Sequence, residues 1–255
     1  MAERLLSLVL PAYKQEKTIA KDIDNLVNVL ATLPLKYELI VVVDGFVDKT
    51  YEKAKRLTHK SVISSQQSGT IKVIGYEKNQ GKGFAIKYGV KEARGDIIGY
   101  IDAGMDLDPN EIKFMLDIFD WNKADIVLGS KLHPDSKVTY PLSRKVLSWG
   151  YRTIIRILFD FNVKDTQVGI KLYKKVVARR VFPKIIIKRF AFDVEVLAVA
   201  RSLGYTKIYE APVKLKFKPG SINNTNFWKI AILTLIDTLA VFYRLKILNY
   251  YDKSK

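Results

Sequence analysis

Cysteine is absent from the 255 residues. Disulfide frameworks and thiolate metal sites are thereby excluded. Histidine is nearly absent: His59 and His133 stand far apart in sequence. A histidine-based zinc site or a Ser-His-Asp triad is therefore not expected, and both read first as surface residues. Long hydrophobic runs are missing too. No stretch reaches the roughly 18–20 uninterrupted apolar residues of a plain membrane-spanning helix. The apolar run Leu5–Leu10, after Met-Ala-Glu-Arg, is too short for a signal-peptide core and has no small-residue cleavage site behind it. A cytoplasmic chain is the expectation. Negative charge is scarce, with 26 Asp+Glu against 43 Lys+Arg and a net charge of +17. Such an excess attracts polyanions, whether nucleic acid, anionic headgroups or phosphorylated substrates, and it also serves solubility. Aromatic stacking motifs and a single basic recognition module are lacking, so nucleic acid is not an expected partner.

What is present describes a globular protein with a real core: 48% hydrophobic and 27% charged residues. The length suits one α/β domain, or one domain with a small appendage. Short apolar runs at Leu5–Leu10, Tyr37–Val43, Thr70–Gly75, Asp96–Ile101 and Asp125–Leu128 read as buried strands. Helical patterns lie among them at about Glu16–Leu30, Lys49–Lys60, Gly83–Ala93 and Pro109–Trp121. Strands alternating with helices predict a mostly parallel sheet flanked by helices. Further on, Pro141–Phe159 reads as a basic amphipathic helix. Thr166–Tyr173 and Tyr205–Phe217 read as extended, with Ala191–Leu203 helical between them. The tail, Asn226–Tyr251, is apolar almost all round, interrupted by Lys229, Asp237, Arg244 and Lys246. The expected organisation is a catalytic domain over 1–224 and a helical tail over 225–255.

In open α/β sheets, ligands bind beyond the carboxyl ends of the strands. Polar segments stand at those places: Pro11-Ala-Tyr13-Lys-Gln-Glu16, Val43-Asp44-Gly45-Phe-Val-Asp48, Asn79-Gln-Gly81-Lys82-Gly83 and Asp102-Ala-Gly104-Met-Asp106-Leu-Asp108-Pro109. Singly, each is explained by a turn or a helix start. Four in succession fit a nucleoside diphosphate site. Asp102 and Asp106 are the candidate carboxylates for Mg²⁺ or Mn²⁺ bridging the two phosphates. Lys82, at a helix N-terminus, suits the phosphates or a neighbouring acidic site. Asp44 suits hydrogen bonds from the base or ribose.

These segments, in this order, resemble glycosyltransferase family 2, with its nucleotide-diphospho-sugar transferase (GT-A) fold. Pro11 to Glu16 resembles P-x-Y-N-E. Val43 to Asp48 resembles D-D-G-S-x-D, with departures at Val43 and Phe46. Asn79 to Gly83 is similar to N-x-G-K-G. Gly104 departs from the family's D-x-D metal motif, which leaves Asp102 and Asp106 to hold a metal, or else weak or absent metal binding. Gly129-Ser-Lys131, Ser143-Arg144-Lys-Val-Leu-Ser148, Asp165-Thr-Gln167-Val-Gly169-Ile-Lys171-Leu-Tyr173 and Phe192-Asp193-Val-Glu195 resemble the polyprenyl-phosphate hexose synthases. That branch makes dolichyl-phosphate glucose or mannose.

The resemblance implies nucleotide-sugar contacts from Pro11, Tyr13, Glu16, Asp44, Lys82, Asp102 and Gln167. It implies acceptor-phosphate contacts from Lys131, Arg144, Ser148 and Lys218. Asp193, with Asp102, is the candidate catalytic carboxylate; it would sit near the sugar or orient a basic partner, or else cap a helix. Asp165, Gln167, Gly169 and Lys171 would shape the sugar pocket or hold the sheet edge. The implied reaction is inverting transfer of a hexose to polyprenyl phosphate, with UDP-glucose first and GDP-mannose second as donor. A phosphate monoester is already anionic near neutral pH and needs no base. The rival readings are a family member that extends a glycan at a hydroxyl, needing Asp193 as base, and a non-catalytic anion-binding protein. The expected location is peripheral, on the cytoplasmic face of a membrane. Asp237 argues for a tail lying in the interface, or against another subunit as in a homodimer.

Overall fold

The computed structural model describes residues 4–58, 63–64, 67–104, 107–138, 142–215 and 227–253, with side chains for all of these but 63–64, 67–68, 138, 142–148, 227–229 and 252–253. Strands β1 (Leu5–Ala12), β2 (Lys36–Asp44), β3 (Ile63–Ser64), β4 (Gln67–Tyr76), β5 (Ile97–Ile101), β6 (Ile126–Ser130), β8 (Ile170–Lys174) and β9 (Ile208–Pro212) form one sheet. Its order is β3-β4-β2-β1-β5-β8-β6-β9. A small parallel pair joins β7 (Lys137–Val138) to β10 (Lys214–Leu215).

The expected parallel frame is present: β1 pairs in parallel with β2 and β5, and β2 with β4. The interiors of β1, β2 and β5 are buried on both faces, as near-continuous runs such as Leu-Ile-Val-Val-Val of β2 require. Thr166–Tyr173, expected as extended, contributes β8. It runs antiparallel between β5 and β6, with Ile101 opposite Ile170. This brings the amino end of β8 beside the carboxyl ends of β5 and β6. The order reverses between β1 and β5, so the ligand crevice is expected there.

Two apolar layers flank the sheet. One gathers α1 (Ile19–Leu30), α2 (Thr50–Lys55) and α4 (Glu111–Trp121). The other gathers α3 (Lys82–Glu92), α5 (Leu142–Phe159), α6 (Lys175–Val181) and α7 (Phe192–Ser202), and it extends to Val241 and Tyr251 of the tail. Helix α1 starts at Ile19 rather than Glu16, because the Gln15 carbonyl takes the amides of both Thr18 and Ile19 in a turn.

The tail forms α8 (Phe227–Phe242), a π-helical turn over Tyr243–Ile247 and the short α9 (Tyr250–Lys253). Among the described residues, no helix is long and apolar enough to cross a membrane. The tail rests on the domain: the Tyr151 hydroxyl of α5 meets the Thr238 hydroxyl at 2.7 Å, and Phe159 stacks edge-on against Phe242. Val241 and Tyr251 of the tail are buried.

Candidate active site

Asp44 is the last residue of β2 and is buried. Its carboxylate accepts the Asn79 side-chain amide (2.8 Å) and the backbone amides of Gln80 (2.7 Å) and Gly81 (2.9 Å). The side chain expected to meet a base or ribose is thus engaged in shaping the Asn79–Gly83 loop. Gly81 holds φ at +99°, and a Cβ there would press on the Lys188 carbonyl, so this turn requires glycine. Gly83 packs so closely on the Phe192 ring that a Cβ would not fit.

The loop delivers Lys82 to the crevice. Its ammonium lies 2.9 Å from Asp102 Oδ2 and 3.9 Å from Asp193 Oδ2. Burial lowers the affinity of Lys82 for its proton, but Asp102 and Asp193 outweigh burial and raise its pKa. Lys82 is a permanent cation.

Asp102 follows β5 directly, and its amide donates to the Gly169 carbonyl at 2.8 Å. A Cβ at Gly169 would overlap the Asp102 carboxylate, which gives the glycine at the start of β8 a steric purpose. Asp102 Oδ1 is shielded from solvent and has no hydrogen-bond partner among the described residues. An orphaned carboxylate oxygen costs free energy unless something positive meets it. A hard divalent cation fits that oxygen. Asp106, the other expected ligand, lies outside the described residues, as does Lys218. Among the described residues, no group of three or more His, Asp or Glu side chains is arranged to hold a metal. Gly104 holds φ at +106°, and its amide donates to Asp22 Oδ2 at 3.1 Å.

Asp193 lies in the first turn of α7, almost wholly buried. It caps no helix end. Its Oδ1 accepts the Lys171 ammonium at 2.6 Å and the Tyr100 hydroxyl. Lys171 is fully buried on β8 and also donates to the Val168 carbonyl at 2.7 Å. Burial pushes the Asp193 carboxyl up, but Lys171 and Lys82, with the two hydrogen bonds, more than offset this and hold it below the usual range. Asp193 is therefore a stable anion that anchors two lysines.

The remaining expected residues fall in three places. Pro11 is buried in β1, and Tyr13 is partly exposed beyond it. Glu16 ties the first loop to α2: its Oε2 accepts the Lys49 amide at 3.2 Å, and its carbonyl accepts the Lys53 ammonium at 2.8 Å. Lys131 follows β6 at the same sheet edge. Its amide (3.0 Å) and ammonium (3.7 Å) both face Asp165 Oδ2. The Gln167 amide lies 3.4 Å from Asp165 Oδ1. Arg144 and Ser148 lie on α5, whose side chains there are outside the described set. The structure thus joins Lys82, Asp102 and Asp193 in one contact chain, with Asp44 bonded to the loop that carries Lys82, and Lys131 with Asp165 and Gln167 in another.

Sequence reasoning missed Tyr100 and Asp22. Tyr100 carried no signal beyond being an aromatic in an aliphatic strand. Asp22 carried one: it sits on the apolar stripe Ile19, Ile23, Leu26, Val27, Leu30, where a carboxylate needs a reason.

Residues 7–182 match the Glycosyl transferase family 2 model. The chain belongs to glycosyltransferase family 2. Within this family it is similar to the dolichyl-phosphate beta-glucosyltransferase of Dictyostelium discoideum, at 34% identity over 78% of this chain and 62% of that protein. It is 33% identical to the human dolichyl-phosphate beta-glucosyltransferase, over 77% of this chain and 63% of the human one. A Trichomonas vaginalis relative of the same description aligns at 31% identity over 94% and 74% of the two chains. The chain spans somewhat under two thirds of the length of the Dictyostelium and human proteins.

The fold is GT-A. Mannosyl-3-phosphoglycerate synthase of Rubrobacter xylanophilus superposes with a TM-score of 0.70 at 16% identity, over 95% of this chain and 75% of that one. Glucosyl-3-phosphoglycerate synthase of Mycobacterium tuberculosis, in complex with Mn²⁺, UDP and glucosyl-3-phosphoglycerate, superposes with a TM-score of 0.67 at 18% identity. That likeness covers 94% of this chain and 81% of that one.

Proposed function

We propose that this family 2 enzyme transfers glucose from UDP-glucose to the phosphate of a dolichyl-type polyprenyl lipid, with inversion at the anomeric carbon. The observation that carries the acceptor class is the state of Asp193. A general base needs a pKa near the working pH and reach to the proton it takes. Asp193 is a depressed carboxylate locked to Lys171 and Tyr100, which makes it a poor base. An acceptor that arrives already ionised needs none. This favours a phosphate over a glycan hydroxyl, and the curated relatives point the same way by their names.

In this reading the loop Asn79–Gly83, shaped by Asp44, holds the donor diphosphate against Lys82 at the start of α3. Lys82 offsets the charge that develops on the leaving nucleoside diphosphate. Asp193, held by the buried Lys171, keeps Lys82 aimed at the crevice and is a positioning residue. Asp102 would hold a divalent cation through its orphaned Oδ1, with Asp106 as second ligand. When bound, Mg²⁺ or Mn²⁺ supplies further neutralisation of the diphosphate. Lys131, beside Asp165 at the β6 end, together with Arg144, Ser148 and Lys218 receives the lipid phosphate and offsets its repulsion from the donor.

The tail supports peripheral membrane contact. In α8 the buried positions are Thr234, Thr238 and Val241, while Ile232, Ile236 and Leu239 are turned outward and exposed, followed by Tyr243. Both threonine hydroxyls satisfy themselves on the carbonyl one turn back, at 2.7 Å. A helix that leaves Ile232, Ile236 and Leu239 exposed on its outer face fits an apolar medium outside.

The test is a set of labelled nucleotide sugars incubated with a polyprenyl phosphate, followed by organic extraction. Label from UDP-glucose is expected in the organic phase, in an acid-labile β-glucosyl phosphate. Label that enters only a hydroxyl-linked glycan would overturn the acceptor; an α-linked product would overturn the stereochemistry.

A further inference from the structure

The tail is joined to the donor loop by a continuous set of polar contacts, and Glu195 is its centre. Glu195 is fully buried on α7. On one side, its Oε1 accepts the Tyr251 hydroxyl at 2.5 Å, and Arg244 Nη2 lies 3.6 Å away. Arg244 Nε also donates to the Tyr251 hydroxyl oxygen at 3.1 Å. Tyr251 is itself wholly buried, and its carbonyl accepts the Lys184 ammonium at 2.8 Å. On the other side, Glu195 Oε2 accepts the amides of Ile186 (3.0 Å) and Ile187 (2.7 Å).

Those two amides belong to the segment that leads into the donor loop. The next carbonyl, of Lys188, accepts the Gly83 amide at 2.9 Å, at the N-terminal turn of α3. The Lys188 ammonium reaches Gln80 Oε1 at 3.0 Å. Lys87 of α3 donates to the carbonyls of Pro183 (2.9 Å) and Ile185 (2.8 Å). Gly81 has no room for a Cβ because the Lys188 carbonyl is there. The 183–188 segment is therefore one wall of the donor loop, and its position is fixed by a carboxylate whose other oxygen belongs to the tail.

We propose that Glu195 is a positioning residue through which the seating of the C-terminal tail sets the geometry of the donor-phosphate loop. The tail thus takes part in nucleotide binding without touching the nucleotide. The physical reason is the cost of a half-satisfied buried carboxylate. When Tyr251 leaves, Glu195 Oε1 loses its donor in a dry environment, and the side chain must turn or draw in water. Either movement loosens the Ile186 and Ile187 amides and, with them, the Lys188 carbonyl. By linkage, nucleotide that tightens the loop also tightens the tail.

The inference rests on reading Asn79–Gly83 as the donor loop, and the experiment separates the two. Calorimetry with UDP and Mn²⁺, without lipid, is run on the full chain and on Tyr251→Phe and Thr238→Val. The first variant keeps the ring and removes only the hydroxyl that serves Glu195. The second breaks the Tyr151 contact of the same tail, off the path. Tyr251→Phe is expected to weaken UDP binding roughly three- to thirtyfold, while Thr238→Val binds UDP as the native chain does. A native chain that binds no UDP would overturn the donor-loop reading itself. Native binding with equal UDP affinity in all three proteins would overturn the coupling, and so would equal losses in both variants, which would reduce it to general destabilisation. Hydrogen exchange gives a second readout. UDP is expected to slow exchange of the tail amides after Phe242 in the native chain and not in Tyr251→Phe; equal slowing in both would count against the path.

Discussion

The donor side and the reversing, carboxyl-terminal side of this sheet are built on different principles. On the donor side, each chemically important residue stands at or just beyond the carboxyl end of a parallel strand: Asp44 ends β2, Asn79–Lys82 follow β4, and Asp102 follows β5. The backbone delivers these groups to the crevice, and local bonds fix them. On the carboxyl-terminal side, the important groups lie inside elements. Lys171 is in mid-strand, Asp193 and Glu195 are in a helix, and all three are almost fully buried. Each is a charge whose presence makes sense only through a partner distant in sequence. The difference separates groups that are solvated by ligand from groups that are solvated by protein.

The sharpest way to break that contrast is to remove a partner on the buried side. Lys171→Met strands the Asp193 charge with Tyr100 and a more distant Lys82, and is expected to cost about 3–5 kcal/mol of stability. Adding Asp193→Leu should restore much of that stability and none of the activity, because an apolar pair fills the core and aims no lysine. Chemical denaturation and turnover, measured on both variants, check this. The pH dependence has a definite sign. The folded-state pKa of Asp193 is depressed, so its contribution is present above the ordinary aspartate pKa of about 3.9 and is lost as the pH falls through the depressed value. The stability gap between the native chain and the double variant should hold from neutrality down to that range and close only below it.

On the donor side, removing a charge should spare the fold and stop the chemistry. Asp102→Asn keeps the shape that Gly169 accommodates and weakens both the lysine contact and the orphaned oxygen. Turnover is expected to fall on the order of 100- to 1000-fold, with a melting temperature within a few degrees of native. Turnover preserved in the presence of chelator would remove Asp102 from the donor chemistry. A large drop in melting temperature would place it with the buried charges instead.

The same contrast decided what could be read from sequence. The parallel frame and the four polar strand ends were legible because apolar runs mark strands and the binding rule for such sheets says where to look. The antiparallel β8 was legible only as extended, since direction leaves no trace in a five-residue run. Lys171 was legible as a residue of a family motif, not as a buried ion pair. Tyr100 was illegible because its partner, Asp193, is 93 positions away. Asp44 was legible as a polar strand-end residue; its bonds to Asn79, Gln80 and Gly81 were not. The tail was legible as helical and largely apolar; its inward-facing threonines and the Tyr251–Glu195 contact were not.

The tail sharpens the contrast in a third way, because its outer face has no partner within the described chain. Changing Ile232, Ile236 and Leu239 together to serine removes apolar surface that is already exposed, so stability should shift by less than about 1 kcal/mol. Flotation with anionic vesicles should nevertheless fall about tenfold or more, since each side chain fully withdrawn from water is worth about 1.5–3 kcal/mol. Unchanged flotation would move the membrane contact to the catalytic domain. Truncation at 224 is the poorer experiment: it would also uncover the seats of Val241 and Tyr251.

The smallest expected effect concerns Gly104, where the family's metal motif carries an aspartate. Its φ of +106° disfavours any side chain, while among the described residues the nearest atom to a built Cβ is Gln15 Nε2, 3.9 Å away. The cost of a substitution is thus backbone strain rather than collision, about 1–2 kcal/mol, or a few degrees in melting temperature. Gly104→Ala measures that cost alone. Gly104→Asp adds a carboxylate beside Asp102, where one orphaned oxygen already awaits a positive partner. Both variants should lose the same few degrees, and only Gly104→Asp should reach half-maximal activity at a lower Mn²⁺ concentration than Gly104→Ala. Equal metal dependence in the two variants would mean that a carboxylate at 104 does not reach the ion, and that Asp102 works with ligands elsewhere in the loop. A larger loss in Gly104→Asp alone would identify repulsion among Asp22, Asp102 and the new carboxylate as the reason this chain keeps a glycine, since the Asp22 carboxylate already accepts the Gly104 amide.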